Sequence, residues 1–130
     1  MTAKPSPCPC SGADYVACCG RYHNGTPAPD AAVLMRSRYS AYALKLETYL
    51  LATWHSSTRP AALDLAADHA KWLGLEVKKH LSGSADQATV EFVARYKIGG
   101  HAGRLHEVSR FVREDGKWLY ADGEIIRSAQ

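Results

Sequence analysis

Cys8, Cys10, Cys18 and Cys19, the chain's only cysteines, all fall within twelve positions of the segment CPCSGADYVACCG. Two close pairs joined by a turn-rich loop (Ser11, Gly12, Asp14) offer four thiolates to one ion. Zn²⁺ takes four soft or borderline ligands in a tetrahedron, and four cysteines close its shell with no position left for a substrate. The chemistry expected here is therefore structural zinc binding. Two disulfides are the alternative. Adjacent cysteines have Cα atoms about 3.8 Å apart across a trans peptide, short of the roughly 4.4–6.8 Å that disulfides take. Pairing Cys18 with Cys19 is thus strained, and Cys8 with Cys10 little better, which leaves cross-pairs. Met1 to Pro7 contains no apolar run of the signal-peptide kind, and a reducing compartment keeps thiols free for metal. His23 is close enough to replace one thiol but is expected at the surface. Four thiolates and one Zn²⁺ bring the formal charge from +3 to +1. Loop amides, and Arg21 with them, are expected to offset the sulfur charge.

A second group of candidates lies further along. In period-2 strands Glu107, Ser109 and Phe111 share one face, and Trp118, Tyr120 and Asp122 share a face of the next strand. If both sets face helices, Glu107 and Asp122 point toward a core, where a carboxylate must find a partner or neutralise. Arg38, Tyr39, Tyr42, His55 and Arg95 are the partners in reach, and Trp54 joins them among the candidate pocket residues. One reading is a satisfied polar network. The other is a pocket whose acid or base moves a proton. Arg38, at the edge of an apolar stripe, either snorkels to water or points into that pocket. No nucleophile–base pair, GxSxG, P-loop or dinucleotide fingerprint is present. His69, His80, His101 and His106 lack metal spacing.

The elements that must position these residues follow from periodicity. Residues 1–29 are rich in Pro, Gly and small polar residues, form the knuckle and a linker, and build no core alone. Asp30 is expected to cap a helix over Ala31 to Leu44. Leu46, Tyr49, Leu50, Thr53 and Trp54 repeat on one face of a second helix. Thr58 and Pro60 are expected to open a third, carrying Leu63, Ala66, Ala67 and Ala70 and stopped by Gly74. From Leu75 the period changes to alternation: Leu75–Leu81, a turn at Ser82-Gly83-Ser84, Ala88–Ile98, a loose loop at Gly99, Gly100 and Gly103, Leu105–Val112, and a last strand ending before Gly123. Asp115-Gly116 is a strong hairpin signal. Helices first, then an antiparallel meander, predicts an α+β domain over residues 30–130, with three helices packed on one face of a curved antiparallel sheet.

Composition bounds the rest. At 130 residues, with 46% hydrophobic and 22% charged side chains, the chain is an ordinary globular domain plus a small appendage. No run of 18 apolar residues predicts a membrane span, and the default expectation is the cytoplasm. The basic residues are scattered, so nucleic-acid binding has weak support.

The segment CPC…CCG resembles the SEC-C motif, the cysteine zinc knuckle of the SecA translocation ATPase. The ordered set LMRSRYSAY, TWH, WLGLEV, VEFVARY, HEVSRF and DGKWLYADG resembles the YchJ family of bacterial proteins over nearly the whole chain. That resemblance implies a nuclear transport factor 2-like (SnoaL-like) α+β cone after the knuckle and zinc on Cys8, Cys10, Cys18 and Cys19. The loop between Cys10 and Cys18 is one residue shorter than the usual motif. By analogy the knuckle would dock a protein partner, while the cone would bind a small ligand or dimerise through its sheet. A small isomerase, dehydratase or hydrolase using Glu107 or Asp122 is the alternative. Fold alone does not choose among these.

Overall fold

The computed structural model describes residues 7–11, 13–65 and 69–126. Three helices come first: α1 (Cys19–His23), α2 (Ala31–Leu44) and α3 (Glu47–Ala52). Four strands follow: β1 (Lys71–Ser84), β2 (Gln87–Ile98), β3 (His101–Glu114) and β4 (Lys117–Ile125). The strands form one antiparallel meander in the order β1-β2-β3-β4.

α2 is the bar on which the molecule is assembled. Asp30 caps it, its carboxylate accepting from the Val33 amide at 2.8 Å. Asp30→Ala is expected to cost about 0.5–2 kcal/mol, the usual loss for an N-cap, readable as a lowered midpoint in urea. At the other end Lys45 turns left-handed at φ 60°, which lets the Leu46 amide bond back to Ala41. Ala31, Leu34, Met35 and Tyr39 of α2 pack on Ala88, Val90, Phe92 and Ala94 of β2 and Phe111 of β3. Alternation on β2 thus points one apolar row at the helix. Cys8, Cys10 and Cys19 belong to the same buried cluster, so the knuckle packs as part of the main core.

The third expected helix is not formed over 58–65 or 69–74. Leu65 alone has a single 3₁₀ position, and Lys71 to Gly74 already belong to β1. Ala66 and Ala67 lie outside the described residues. Thr58 caps nothing: its hydroxyl donates to the Ala121 carbonyl and accepts from Trp54 Nε1 at 3.2 Å. Helix propensity is a weak prior, and here cross-strand pairing overrides it, with Lys71 opposite Lys97 and Trp72 opposite Tyr96.

The turns differ in detail. β1 runs through Ser84, so Ser82-Gly83-Ser84 is strand, with an irregularity between Ser82 and Ser84. Gly99 and Gly100 turn with φ 56° and 82°, whereas Gly103 lies within β3. A Cβ there would meet the Tyr96 ring at 2.6 Å, so the glycine makes room for its cross-strand aromatic. The Asp115-Gly116 hairpin forms as expected, both residues having positive φ.

One irregularity decides the site. Arg110 pairs with Asp122, but Phe111 pairs with Tyr120, leaving Ala121 as the extra residue of a bulge. Two residues opposing one reverse the alternation. Tyr120 stays inside with Phe111, while Asp122 is turned to the outer face beside Arg110.

Candidate functional site

The four sulfurs converge. Cys10 Sγ is the hub, 3.6 Å from Cys8 Sγ and 3.5 Å from both Cys18 and Cys19 Sγ. All four ligand atoms lie within 4.8 Å of one another, and none is in a disulfide. A tetrahedral thiolate shell with metal–sulfur bonds of about 2.3 Å has sulfur–sulfur edges of about 3.8 Å. The arrangement therefore fits one metal ion, and the shortened loop does not prevent convergence.

Local hydrogen bonds fold the knuckle: the Cys8 amide bonds to Ala13 O at 2.6 Å, and the Gly20 amide to Tyr15 O at 2.8 Å. A Cβ at Gly20 would lie 2.8 Å from Tyr15 O, so the α1 start requires glycine. Ser40 of α2 reaches into the centre, donating to Cys19 Sγ at 3.2 Å and lying 3.4 Å from Cys8 Sγ. Such contacts orient ligands and spread their charge.

The bare thiols cannot all ionise together. The Cys19 thiol, aided by Ser11, Cys18 and Cys8, holds Cys10 down to about 4 despite burial. Cys10 in turn pushes Cys19 well above the usual thiol range, with burial adding to it. Burial first, then Cys10, raises Cys18. One thiolate is stabilised at the others' expense, and a divalent ion would relieve that conflict.

Two residues near the knuckle depart from expectation. His23 is half-buried and works as a strut. Its Nε2 donates to the Ser37 carbonyl at 2.8 Å, which fixes the proton there, and Nδ1 accepts from the Tyr15 hydroxyl. Its ring also meets Tyr49 edge-on at 4.6 Å. Arg21 is exposed and lies over Tyr22 at 4.9 Å.

The opposite side of α2 faces a cavity of about 240 Å³ against the sheet. Six of the ten candidate pocket residues line it: Arg38, Tyr39, Tyr42, Glu107, Ser109 and Tyr120. Met35, Trp72, Phe92, Ala94 and Leu105 complete the wall. Arg38 is buried, 3% exposed, and donates from Nη1 to Leu50 O at 2.8 Å and Thr53 Oγ1 at 2.7 Å. Its guanidinium lies 4.6 Å from the Tyr120 ring centre and 5.0 Å from that of Trp54. It does not snorkel, and burial lowers its pKa. Glu107 accepts from Ser109 Oγ at 2.6 Å. Gly123 clears its place: a Cβ there would sit 2.2 Å from Glu107 Oε2.

The other four candidates stand elsewhere. Trp54 backs Arg38 and meets Tyr120 edge-on at 5.1 Å. His55 pairs through Nε2 with Glu114, and its Nδ1 bonds the Ser57 hydroxyl. Arg95 is exposed opposite Arg104. Asp122 forms an exposed ion pair with Arg110, which corrects the expectation that it faces the helices. His106 pairs with Glu91 at 2.6 Å, and His69, His80 and His101 are exposed.

Two features went unread in the sequence. Among the described residues, Tyr39 Oη and Trp72 Nε1 are buried with no partner at hydrogen-bond distance. The Gly74 backbone acts weakly on Tyr39, but burial dominates and raises its pKa. A larger groove of about 720 Å³ runs between the linker at Thr26-Pro27, the α2–α3 turn and Trp118. No local pattern marks either.

Burial also raises Tyr15, Tyr49 and Tyr120, the last pushed up to about 12 by desolvation and the Glu107 charge. These phenols keep protons in the fold that the unfolded chain loses near pH 10. Stability should therefore fall as pH rises from 10 toward 12. In an absorbance titration at 295 nm, late tyrosine ionisation should coincide with loss of near-UV ellipticity.

Comparison with known proteins agrees with this architecture. A family model described as YchJ, middle NTF2-like domain, matches residues 30–123. The chain is 62% identical over 122 residues to a UPF0225 protein of Chromobacterium violaceum, covering 89% of this chain and 90% of that protein. It is 59% identical over 123 residues to one of Methylibium petroleiphilum, covering 93% and 90%. The solution structure of a SEC-C motif containing protein from Rhodopseudomonas palustris superposes with TM-score 0.79 at 34% identity, covering 90% of this chain and 95% of that one. A crystal structure of a SEC-C motif containing protein from Psychrobacter arcticus gives 0.77 at 29% identity, covering 98% and 85%. The chain, with its N-terminal cysteine cluster and NTF2-like α+β domain, belongs to the YchJ family of UPF0225 proteins.

Proposed function

We propose that this protein is a small-ligand-binding module whose N-terminal segment is pinned to α2 by a structural Zn²⁺ held by Cys8, Cys10, Cys18 and Cys19. The observation that carries the reading is the cavity. It is largely apolar, yet a buried arginine and a carboxylate both reach its wall. Well-formed apolar pockets with a few converging polar groups are where small molecules bind. Zinc suits the four-sulfur set, because soft thiolates in a tetrahedron select it, and a closed shell makes it structural. Free thiols fit the reducing cytoplasm. A protein partner would dock on the knuckle, where Val16 is 73% exposed. The test is a small-molecule screen by ¹H–¹⁵N NMR on zinc-loaded full-length protein. Shifts confined to the indole of Trp72 and the amides of Phe92, Leu105 and Ser109 support the reading. A screen in which no compound perturbs them contradicts it.

A second reading, a small enzyme, is favoured by one arrangement: Glu107 and the Tyr120 phenol line the same cavity. With Asp122 outside, acid–base work would fall to Glu107. Glu107→Gln would then abolish turnover with the fold intact, and a variant that merely unfolds would make the carboxylate structural.

A further inference from the structure

We propose that the cavity between α2 and the sheet is built for a small aromatic acid bearing a hydrogen-bond donor opposite its carboxylate. This rests on the ligand-binding reading above and names the ligand class. Size comes first. An apolar cavity of about 150 Å³ holds benzene, and pockets for drug-sized ligands run roughly 300–1,000 Å³. A volume of about 240 Å³ lies between, room for a single ring with short substituents.

The wall sets the ligand's shape. Phe92, Trp72 and Tyr120 supply aromatic surface and Met35 a soft, adaptable side chain. Such walls favour a flat ring in offset or edge contact.

Charge sets its ends. Arg38 enters from α2, and among the described residues no carboxylate forms an ion pair with it. Nη1 is committed to Leu50 O and Thr53 Oγ1 and the Tyr42 hydroxyl also meets the guanidinium, but a guanidinium carries five N–H donors. Buried charges are ordinarily paired, so an anion supplied by the ligand completes this one. Glu107 enters from β3 with one oxygen on Ser109. A carboxylate offers about four acceptor sites, so a hydroxyl or amine on the ligand finds an acceptor there. Tyr120 shares the wall with both, its ring against the guanidinium. A plain hydrocarbon ring would leave both charged groups facing apolar surface.

Titration of the zinc-loaded full-length protein with 4-hydroxybenzoate, 4-aminobenzoate, benzoate, phenol and toluene, followed by NMR and calorimetry, tests this. The substituted benzoates should bind at least tenfold more tightly than benzoate or phenol, and toluene most weakly. Glu107→Gln should collapse the preference for 4-hydroxybenzoate over benzoate to within about twofold. Arg38→Met, which keeps the length and removes the charge, should do the same for 4-hydroxybenzoate over phenol. The wild-type series decides the matter even if a variant fails to fold. Toluene or phenol binding as tightly as the acids would overturn the ligand class while leaving the cavity a binding site. No perturbation by any of the five would overturn this proposal, and failure of the wider NMR screen as well would overturn the ligand-binding reading itself.

Discussion

Cys10→Ser should release the metal and unfold the N-terminal segment, the largest effect expected of any single change. Cys10 Sγ is the sulfur that contacts the other three. Serine keeps the size but offers a hard oxygen that holds zinc poorly. Apparent binding free energies of structural zinc in small finger peptides run to about 10–16 kcal/mol near neutral pH, and that energy is folding energy. Residues 7–29 have little else, since Cys8, Cys10, Cys19 and Tyr22 are their buried side chains. The damage should spread, because those cysteines share a cluster with Ala31, Leu34 and Phe111. The variant should hold less than a tenth of the wild-type metal and melt at least 10 °C lower. A chelator should shift the wild type to the same midpoint and leave the variant unchanged. Cys18→Ser, at the less buried corner, should weaken binding without abolishing it.

Arg38→Ala should be the most damaging change away from the knuckle. Removing the guanidinium leaves the Leu50 carbonyl, among the described residues, with the 3.3 Å contact from Thr53 Oγ1. It also opens a void between Trp54 and Tyr120. Emptying a buried long side chain costs about 2–5 kcal/mol, to which the weakened bonding of the carbonyl contributes. Chemical denaturation should show a loss in that range. Arg38→Lys should recover part of it but not the stacking, which needs the planar group. A change below about 0.5 kcal/mol for Arg38→Ala would mean that the arginine is not the joint between α2, α3 and β4.

Local constraints are written in the chain residue by residue, and long-range ones are not. The cysteine centre was legible because its constraint is local: sulfurs too close to bridge one another suit one ion, and their convergence needs only the turns between Cys8 and Cys19. Asp30 was legible because a cap acts over three residues. The helix expected from Thr58 failed because sheet pairing, a long-range effect, claims Lys71 to Gly74. Asp122 was misplaced by one inserted residue, Ala121, and a bulge opposite Arg110 and Phe111 has no signature in composition or period. His23 looked like a surface residue because its partner, the Ser37 carbonyl, lies fourteen positions away. The cavity was half legible: strand alternation placed Glu107 and Ser109 inside, while nothing local revealed that Trp72 would close its wall.

α2 joins the cysteine knuckle to the cavity. Ser40 meets the sulfurs and the Ser37 carbonyl holds His23, while Arg38, Tyr39 and Tyr42 face the cavity. X-ray absorption at the zinc edge of the purified full-length protein reads the metal and its ligand shell. One zinc per chain with four sulfur neighbours at about 2.3 Å is the predicted result. A metal-free chain that folds and melts identically with and without chelator, or zinc surrounded by oxygen and nitrogen, would contradict it.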